Sequence, residues 1–297
     1  MSRIDLSLID AALSTYIIAR SKTNELWDEI GSTNDRAIEL AHDGAVEGTL
    51  VLARQQTGGR GRQGRSWVSP KDSGIFASVI LRPTIDASTL PLISFAAGVA
   101  AAQAIERVLS VRIGLKWVND LVYDGRKLGG ILAEKPGSQT ATSRGRNAAS
   151  GAHVSPGPHG AEPQWVLPSA VILGVGINLK HDDEILPPEL KGRVESLDHL
   201  FGKPVDANQI VAEFCNAFED QYNNLRHSAS EIVLAEWKSY SHTLGKQIRA
   251  TVGNEILEGL AEDIADSGAL VLQLKDGSRQ LLYAGEISIR LQDGSYS

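Results

Sequence analysis

Apolar and polar positions along the 297-residue chain change period several times, and each change predicts an element. Between Ile4 and Arg20, apolar residues fall at 4, 6, 8, 9, 13, 16 and 17, a loose helical spacing that predicts one amphipathic helix. "WDEIGSTNDRAIELA" reads as a short strand running into a helix that begins near Ser32 or Thr33, whose hydroxyls suit a helix cap. "GTLVLARQQ" and "GIFASVILRP" read as strands on either side of a glycine-rich loop. "LPLISFAAGVAAAQAIERVL" predicts a long Ala-rich helix whose start Pro91 favours. "VRIGLKWVNDLVYDGRKLGGILAE" predicts a strand hairpin turning at Asp124–Gly125, and "WVLPSAVILGVGINL" resumes the sheet. Two helices follow at 207–225 and 230–241, and from Gly245 onward short strands and turns dominate, with "KDGS" as a hairpin turn.

One stretch has almost nothing to bury. Residues 136–164 are Gly, Ala, Ser and Pro nearly throughout and read as a flexible insertion between two strands. Elsewhere 42% hydrophobic and 22% charged residues are enough for a substantial core. A single cysteine, Cys215, excludes an internal disulfide and a cysteine-ligated zinc site, and suits a reducing compartment. The N-terminus interleaves Asp5 and Asp10 with apolar residues, unlike a signal peptide, and no apolar run of about 18 residues predicts a membrane span. A formal net charge of -7 argues against a general nucleic-acid binder.

Against that acidic background, "GGRGRQGRSW" concentrates Arg60, Arg62 and Arg65 among Gly58, Gly59, Gly61 and Gly64. Glycines let backbone N–H groups converge on an anion, and arginines add planar charged donors. The competing readings are an exposed basic turn and an RNA-binding Arg-Gly segment, which the flanking strands and the acidic chain disfavour. The GxxxxGK[ST] spacing of a Walker loop is absent. In "KWVNDL", Lys116, Asn119 and Asp120 suit a polyphosphate held through magnesium, or else a surface turn with a local ion pair. In "RKLGGILAE", Lys127 is a point charge able to meet a carboxylate and a phosphate, or a solvated hairpin lysine, with Gly129 and Gly130 behind it. The strand glycines of "GVGINL" imply close approach by another group, beside a polar Asn178. "GSTN" is a polar quartet at a helix start, or simply its cap.

Taken in order, STN, Q-x-GGRGRxGRxW, KW-x-ND, KLGGIL and GxGIN, followed by a β-rich tail, resemble the biotin–protein ligases, or biotin–[acetyl-CoA-carboxylase] ligases. The resemblance runs from about Trp27 to the C-terminus. It implies an α/β fold, with a mixed-sheet catalytic domain of the biotin/lipoate ligase type at 1–243 and a small SH3-like β-domain at 244–297. It implies ATP-dependent formation of biotinyl-5'-AMP with Mg²⁺, then transfer of biotin to a lysine of a biotin carboxyl carrier domain of acetyl-CoA carboxylase or a related carboxylase. By resemblance Ser32, Thr33, Asn34 and Gln56 contact the biotin head. Arg60, Gly61, Arg62 and Arg65 belong to a loop that closes over biotin and the adenylate, Arg62 retaining the intermediate. Lys127 meets the carboxylate and the α-phosphate, while Lys116, Asn119, Asp120, Gly130 and Asn178 lie around ATP, Asp120 on the metal side. Trp67 stands where the family has an aromatic near adenine.

The residues themselves agree. A carboxylate approaching an α-phosphate brings two anions together, and Arg60, Arg62 and Lys127 supply charge to neutralise them. Arg62 and Lys127 are the expected catalytic pair. About 26 residues precede Trp27, which predicts a monofunctional ligase without an N-terminal DNA-binding domain, cytoplasmic, off the membrane, with no specific DNA binding, and a monomer or weak homodimer. A ligase for lipoate or another acid is disfavoured by STN and the glycine-arginine motif, and a non-catalytic biotin-binding module by the full set of motif lysines and arginines. Two features depart from the family pattern: Val118 where many relatives have proline, and the insertion at 136–164.

Overall fold

A computed structural model describes residues 3–136, 170–180, 186–283 and 286–289. The insertion expected at 136–164 lies outside the described residues from 137 onward. Two sheets organise the chain. The first is built from β1 (Glu25–Trp27), β2 (Leu50–Ala53), β3 (Gly74–Leu81), β4 (Gly114–Lys116), β5 (Asp120–Tyr123), β6 (Arg126–Glu134) and β7 (Val171–Asn178). Its order is β1-β2-β3-β7-β6-β5-β4; β1 pairs parallel with β2 and every other neighbour is antiparallel. The helices are α1 (Leu6–Ala12), α2 (Thr33–His42), α3 (Leu92–Leu109), α4 (Leu197–Phe201), α5 (Ala207–Arg226) and α6 (Ser230–Ser239). The second sheet is wholly antiparallel: β8 (Gln247–Val252), β9 (Glu255–Ile264), β10 (Leu270–Leu274), β11 (Arg279–Leu282) and β12 (Glu286–Ile289), in the order β11-β10-β9-β8-β12.

Alternation along the central strands sorts residues between two faces. Ile75, Ala77, Val79 and Leu81 of β3, with Leu173, Val175 and Ile177 of β7, enter the main core beneath α3. That helix is apolar on nearly all sides because α5 and α6 pack behind it. It is the only helix among the described residues long and apolar enough to cross a membrane, and it is spent on the core. On the opposite face α2 covers β2, β3 and β7 only at one end, with Ala37 and Ala41 against Val51, Ile80 and Ile172. The rest of that face is left open. It carries Gly130, Gly174, Gly176 and Asn178, which register places side by side with Phe76, Ser78 and Gly74.

Three local expectations change. The helix expected over 4–20 stops at Ala12, capped at its start by the Asp5 carboxylate. Beyond it, the backbone N–H groups of Tyr16, Ile17 and Ile18 all donate to the carboxylate of Glu219 on α5, at 2.6 to 2.8 Å. A buried acid thus replaces the helical acceptors. The segment read as one hairpin is a three-stranded meander, β4 to β6, whose Asp124–Gly125 turn has both residues at positive φ, as a type I′ turn requires. Between β4 and β5 the Trp117–Val118 peptide is cis. Finally, the helix start at Thr33 is not capped by a hydroxyl of the STN quartet. The side-chain oxygen of Gln56 accepts from the Thr33 N–H at 2.9 Å instead.

The segment leading into the β-domain is stitched to the first sheet along β4. His242 N–H donates to the Leu115 carbonyl, Leu115 N–H donates to the Tyr240 carbonyl, and Trp117 N–H donates to the Thr243 hydroxyl, at 2.8 to 2.9 Å. The Trp117 indole donates to the carbonyl of Gly268 at 3.1 Å, and Gly268 itself lies against Leu92 and Phe95 of α3.

Candidate active site

The open face of the first sheet is the floor of a cleft of about 1330 Å³. Every site residue expected from sequence lines it, from Ser32 to Asn178. The arginine-glycine loop forms its roof as a small hairpin. Trp67 N–H donates to the Gly59 carbonyl and Gly61 N–H to that of Arg65, with a 3-10 turn at Arg62–Gly64. Gly59 has no room for a side chain, since a Cβ would stand 2.8 Å from the Ser69 hydroxyl.

The strand glycines serve the protein's own side chains. A Cβ on Gly174 would collide with the Asn34 carboxamide, and one on Gly176 would stand 2.8 Å from the Trp67 ring. A Cβ on Gly130 would stand 3.3 Å from the same indole. The close approach expected from "GVGINL" is therefore made by Asn34, from α2, and Trp67, from the roof. The Trp67 indole N–H is buried with no acceptor among the described residues.

At the α2 end the side chains form a connected neutral network. Thr33 donates its hydroxyl to Gln56 at 3.1 Å, and Gln56 donates to the Ser69 hydroxyl at 3.1 Å. The Ser78 hydroxyl donates to Asn34 Oδ1 at 2.6 Å and lies 2.8 Å from the Thr33 hydroxyl. Asn34 Nδ2 donates in turn to Glu134 at 2.7 Å. Glu134 also takes both terminal nitrogens of Arg60, at 3.1 and 2.9 Å, and Asp35 accepts from Arg60 at 2.8 Å. Arg60 is thus matched by two carboxylates inside the protein, where the sequence pattern pointed to an anionic ligand. Desolvation keeps the Asp35 carboxyl above its ordinary value despite that arginine.

The middle of the cleft is sparser. Lys127 Nζ lies 2.7 Å from Asp120 and 5.4 Å from the centre of the Trp67 ring. Arg62 donates to Asn119 Oδ1 at 3.2 Å, and Asn119 donates to the Ile131 carbonyl at 2.6 Å. Burial holds the Arg62 guanidinium below its ordinary value, with the Asp120 charge opposing it. Asn178 donates to the carbonyls of Lys127 and Glu195, at 3.3 and 3.1 Å, so it ties down the backbone that carries Lys127. Lys116 lines the far end of the cleft, beside the junction with the β-domain, and Arg65 stands exposed on the roof.

Sequence reading missed Ser78, Glu134 and Asp35, as well as His242 and Lys246, which line the junction end. Ser78 had a signal, the one hydroxyl in the strand "GIFASVIL". Cys215 is buried on α5, its thiol pushed up to about 12, and supplies no nucleophile here. Among the described residues no three His, Cys, Asp or Glu are placed to hold a metal ion.

Comparisons with known proteins agree with this layout. Residues 28–145 match the biotin/lipoate A/B protein ligase family, and residues 243–290 match the biotin protein ligase C-terminal domain. The bifunctional ligase/repressor BirA of Bacillus spizizenii is 34% identical over 88% of this chain and 72% of its own length. The biotin–[acetyl-CoA-carboxylase] ligase of Paracoccus denitrificans is 32% identical over 86% of this chain and 96% of its own. In fold, the biotin protein ligase of Aquifex aeolicus, solved with biotin and ATP, superposes with a TM-score of 0.70 at 23% identity, over 90% of this chain and 99% of that one. With both of these domain matches and relatives above 30% identity covering most of its length, the chain belongs to the biotin protein ligase family.

Proposed function

We propose that the cleft joins biotin to AMP and then passes biotin to a lysine of a carrier domain. In the first step a carboxylate oxygen of biotin attacks the α-phosphorus of ATP, the bond to the β-phosphate oxygen breaks, and pyrophosphate leaves. In the second a lysine amine attacks the acyl carbon of the mixed anhydride, AMP leaves, and the amine loses a proton. Neither step needs a protein nucleophile. The first needs positive charge where two anions meet, and the second needs it where charge develops on the acyl oxygen and the departing AMP.

The observation that carries this reading is the pairing of two environments on one sheet face. The uncharged network of Thr33, Asn34, Gln56 and Ser78 suits a neutral, hydrogen-bonding head group, and Ser32 lines the same end. Next to it, Arg62 and Lys127 suit the carboxylate and the α-phosphate. Arg60, held by Glu134 and Asp35, anchors the roof so that Arg62 is presented to the cleft. Trp67 offers an apolar ring beside the glycine floor for the nucleotide, and Asn119, Gly130 and Asn178 keep the floor in place. Mg²⁺ would enter on the phosphates, with Asp120 as a carboxylate beside them. A single carboxylate ligand fits this ion, which commonly keeps water and substrate phosphate as its other ligands. When bound it would neutralise charge on the departing pyrophosphate. The acceptor we assign is the carrier domain of a biotin-dependent carboxylase.

The test is biotin-dependent exchange of labelled pyrophosphate into ATP, without acceptor and beside a lipoate control. Exchange with biotin alone is the expected result. Exchange with lipoate alone would move the chain to the neighbouring specificity, and exchange with neither would remove the enzymatic reading.

A further inference from the structure

Where β7 ends at Asn178, the place beside the start of β6 is taken by another segment. Residues 193–195 run parallel to β6 there, with Val194 bridged to Lys127. The Lys127 N–H donates to the Arg193 carbonyl, and the Lys127 carbonyl accepts from the Glu195 N–H, both at 2.8 Å. Asn178 closes the arrangement by donating to the carbonyls of Lys127 and Glu195. Both backbone groups of the central lysine are therefore held by a segment outside the named strands. Within that segment, the Glu195 side chain is only 3% exposed, so its carboxylate depends on the protein for partners. One oxygen accepts from Arg126 at 3.2 Å; the other accepts from the Ser196 N–H at 2.9 Å and lies 2.6 Å from His199 Nδ1. Arg126 is the first residue of β6, and His199 belongs to α4. The acid thus joins the strand that carries Lys127 to the helix that follows the clamp. Glu195 does not line the cleft, and it lies in none of the motif strings.

We infer that Glu195 is a positioning residue for Lys127: by bridging Arg126 and His199 it locks residues 193–195 onto the start of β6, and so fixes where the lysine enters the cleft. This assignment rests on the functional reading above, which gives the Lys127 ammonium the task of meeting the carboxylate and the α-phosphate. A lysine stem is flexible, so the ammonium needs to be fixed at both ends. Asp120 and the face of Trp67 define the tip, and the clamp at Arg193 and Glu195 defines the origin. Misplacing a group that acts on the reacting atoms by about 1 Å can cost about a hundredfold in rate. A buried acid behind the strand is therefore felt in the chemistry without touching either substrate. Glu195→Gln keeps the volume of the side chain and removes the charge that holds Arg126.

Amide hydrogen exchange and biotin-dependent pyrophosphate exchange, measured on the same full-length variants, test this together. In Glu195→Gln the amides of Lys127 and Glu195, which bond across the clamp, should exchange with solvent about tenfold faster. The same variant should lose about tenfold in kcat for pyrophosphate exchange, with the KM for biotin within about twofold of the wild type. Coupling separates positioning from general damage. If Glu195 acts through Lys127, then Glu195→Gln should change the residual exchange of Lys127→Ala by less than about twofold. His199→Ala removes a largely exposed partner that does not line the cleft, so it carries the test if Glu195→Gln does not fold. It should show the same split between kcat and KM on a smaller scale, about threefold. Wild-type kcat in either folded variant would overturn the inference, as would a loss that repeats in full in the Lys127→Ala background; both leave the functional reading standing. Absence of biotin-dependent exchange in the wild type would withdraw the functional reading, and the assignment of Glu195 with it.

Discussion

The α2 end of the cleft and its middle are built on opposite principles. At the α2 end, Thr33, Asn34, Gln56 and Ser78 already bond to one another, and the one cation there, Arg60, is shared between two carboxylates. In the middle, among the described residues, Lys127 pairs with the Asp120 carboxylate, and Arg62 bonds the Asn119 amide oxygen with the same Asp120 charge near it. A finished network keeps its shape whether or not a ligand is present, so it recognises by geometry. Sparsely matched cations recognise by charge. The Lys127–Asp120 pair is 38% and 27% exposed, and such a pair contributes about 0–1 kcal/mol, so an arriving phosphate can displace it. On the proposed function the glycine-arginine motif divides: Arg60, bonded to Glu134 and Asp35, is assigned to the scaffold and Arg62 to the chemistry.

Removing the central charge should break this contrast most severely. Lys127→Ala takes away the cation assigned to the carboxylate and the α-phosphate. It should lower biotin-dependent pyrophosphate exchange by about 10²–10³-fold, with biotin affinity changed much less. Near-normal exchange from a folded Lys127→Ala protein would take this residue out of the mechanism.

Arg62→Gly sharpens the distinction between the loop arginines. The variant should still form adenylate but release it, raising the free adenylate in the absence of acceptor by about tenfold or more. A protein that fails to bind biotin and releases no adenylate would contradict this assignment.

Glu134→Gln tests the scaffold end. The amide still reaches Asn34 but no longer neutralises Arg60, a partly buried guanidinium left with Asp35 alone. A cost of about 2 kcal/mol to stability is expected, below that of breaking a fully buried pair, together with an approximately tenfold weaker hold on biotin as Asn34 and the roof loosen. If thermal unfolding and biotin titration of the variant match the wild type, the network is not the scaffold described here.

How much of this could be read from the chain alone depended on distance along it. The motif residues were legible because each sits in a short string whose composition departs from its surroundings: arginines among glycines, a lysine after a turn, glycines in an apolar strand. Their partners were not. Asn34 meets Ser78 and Glu134 only because β3, β7 and β6 lie side by side in register, and no local pattern carries that register. The same holds for the N-terminal helix. Its spacing was helical through Arg20, but beyond Ala12 Glu219, some 200 residues away, holds the N–H groups of Tyr16, Ile17 and Ile18 in place of helical acceptors. His242 and Lys246 lay in a stretch that read only as a domain junction, and a lone histidine there had no pattern to mark it.

A matched pair of glycines gives the finest test, with the smallest expected effects. Gly174 and Gly176 are two residues apart on β7 and project to the same face, so a methyl group at either perturbs the same strand in the same way. What each methyl meets is different. At 174 it meets the Asn34 carboxamide, and at 176 the Trp67 ring. Neither glycine has a positive φ, so alanine costs no backbone strain and the effect comes from displacing the neighbour. Gly174→Ala should raise the KM for biotin and leave that for ATP nearly unchanged; Gly176→Ala should do the reverse. Shifts of about three- to tenfold are expected, since overpacking of this size costs roughly 1 kcal/mol or more. Steady-state exchange kinetics with each substrate varied in turn would measure both constants in both variants. Equal effects of the two substitutions on the two substrates would mean that the cleft responds as one unit, and that its ends are not separate recognition devices.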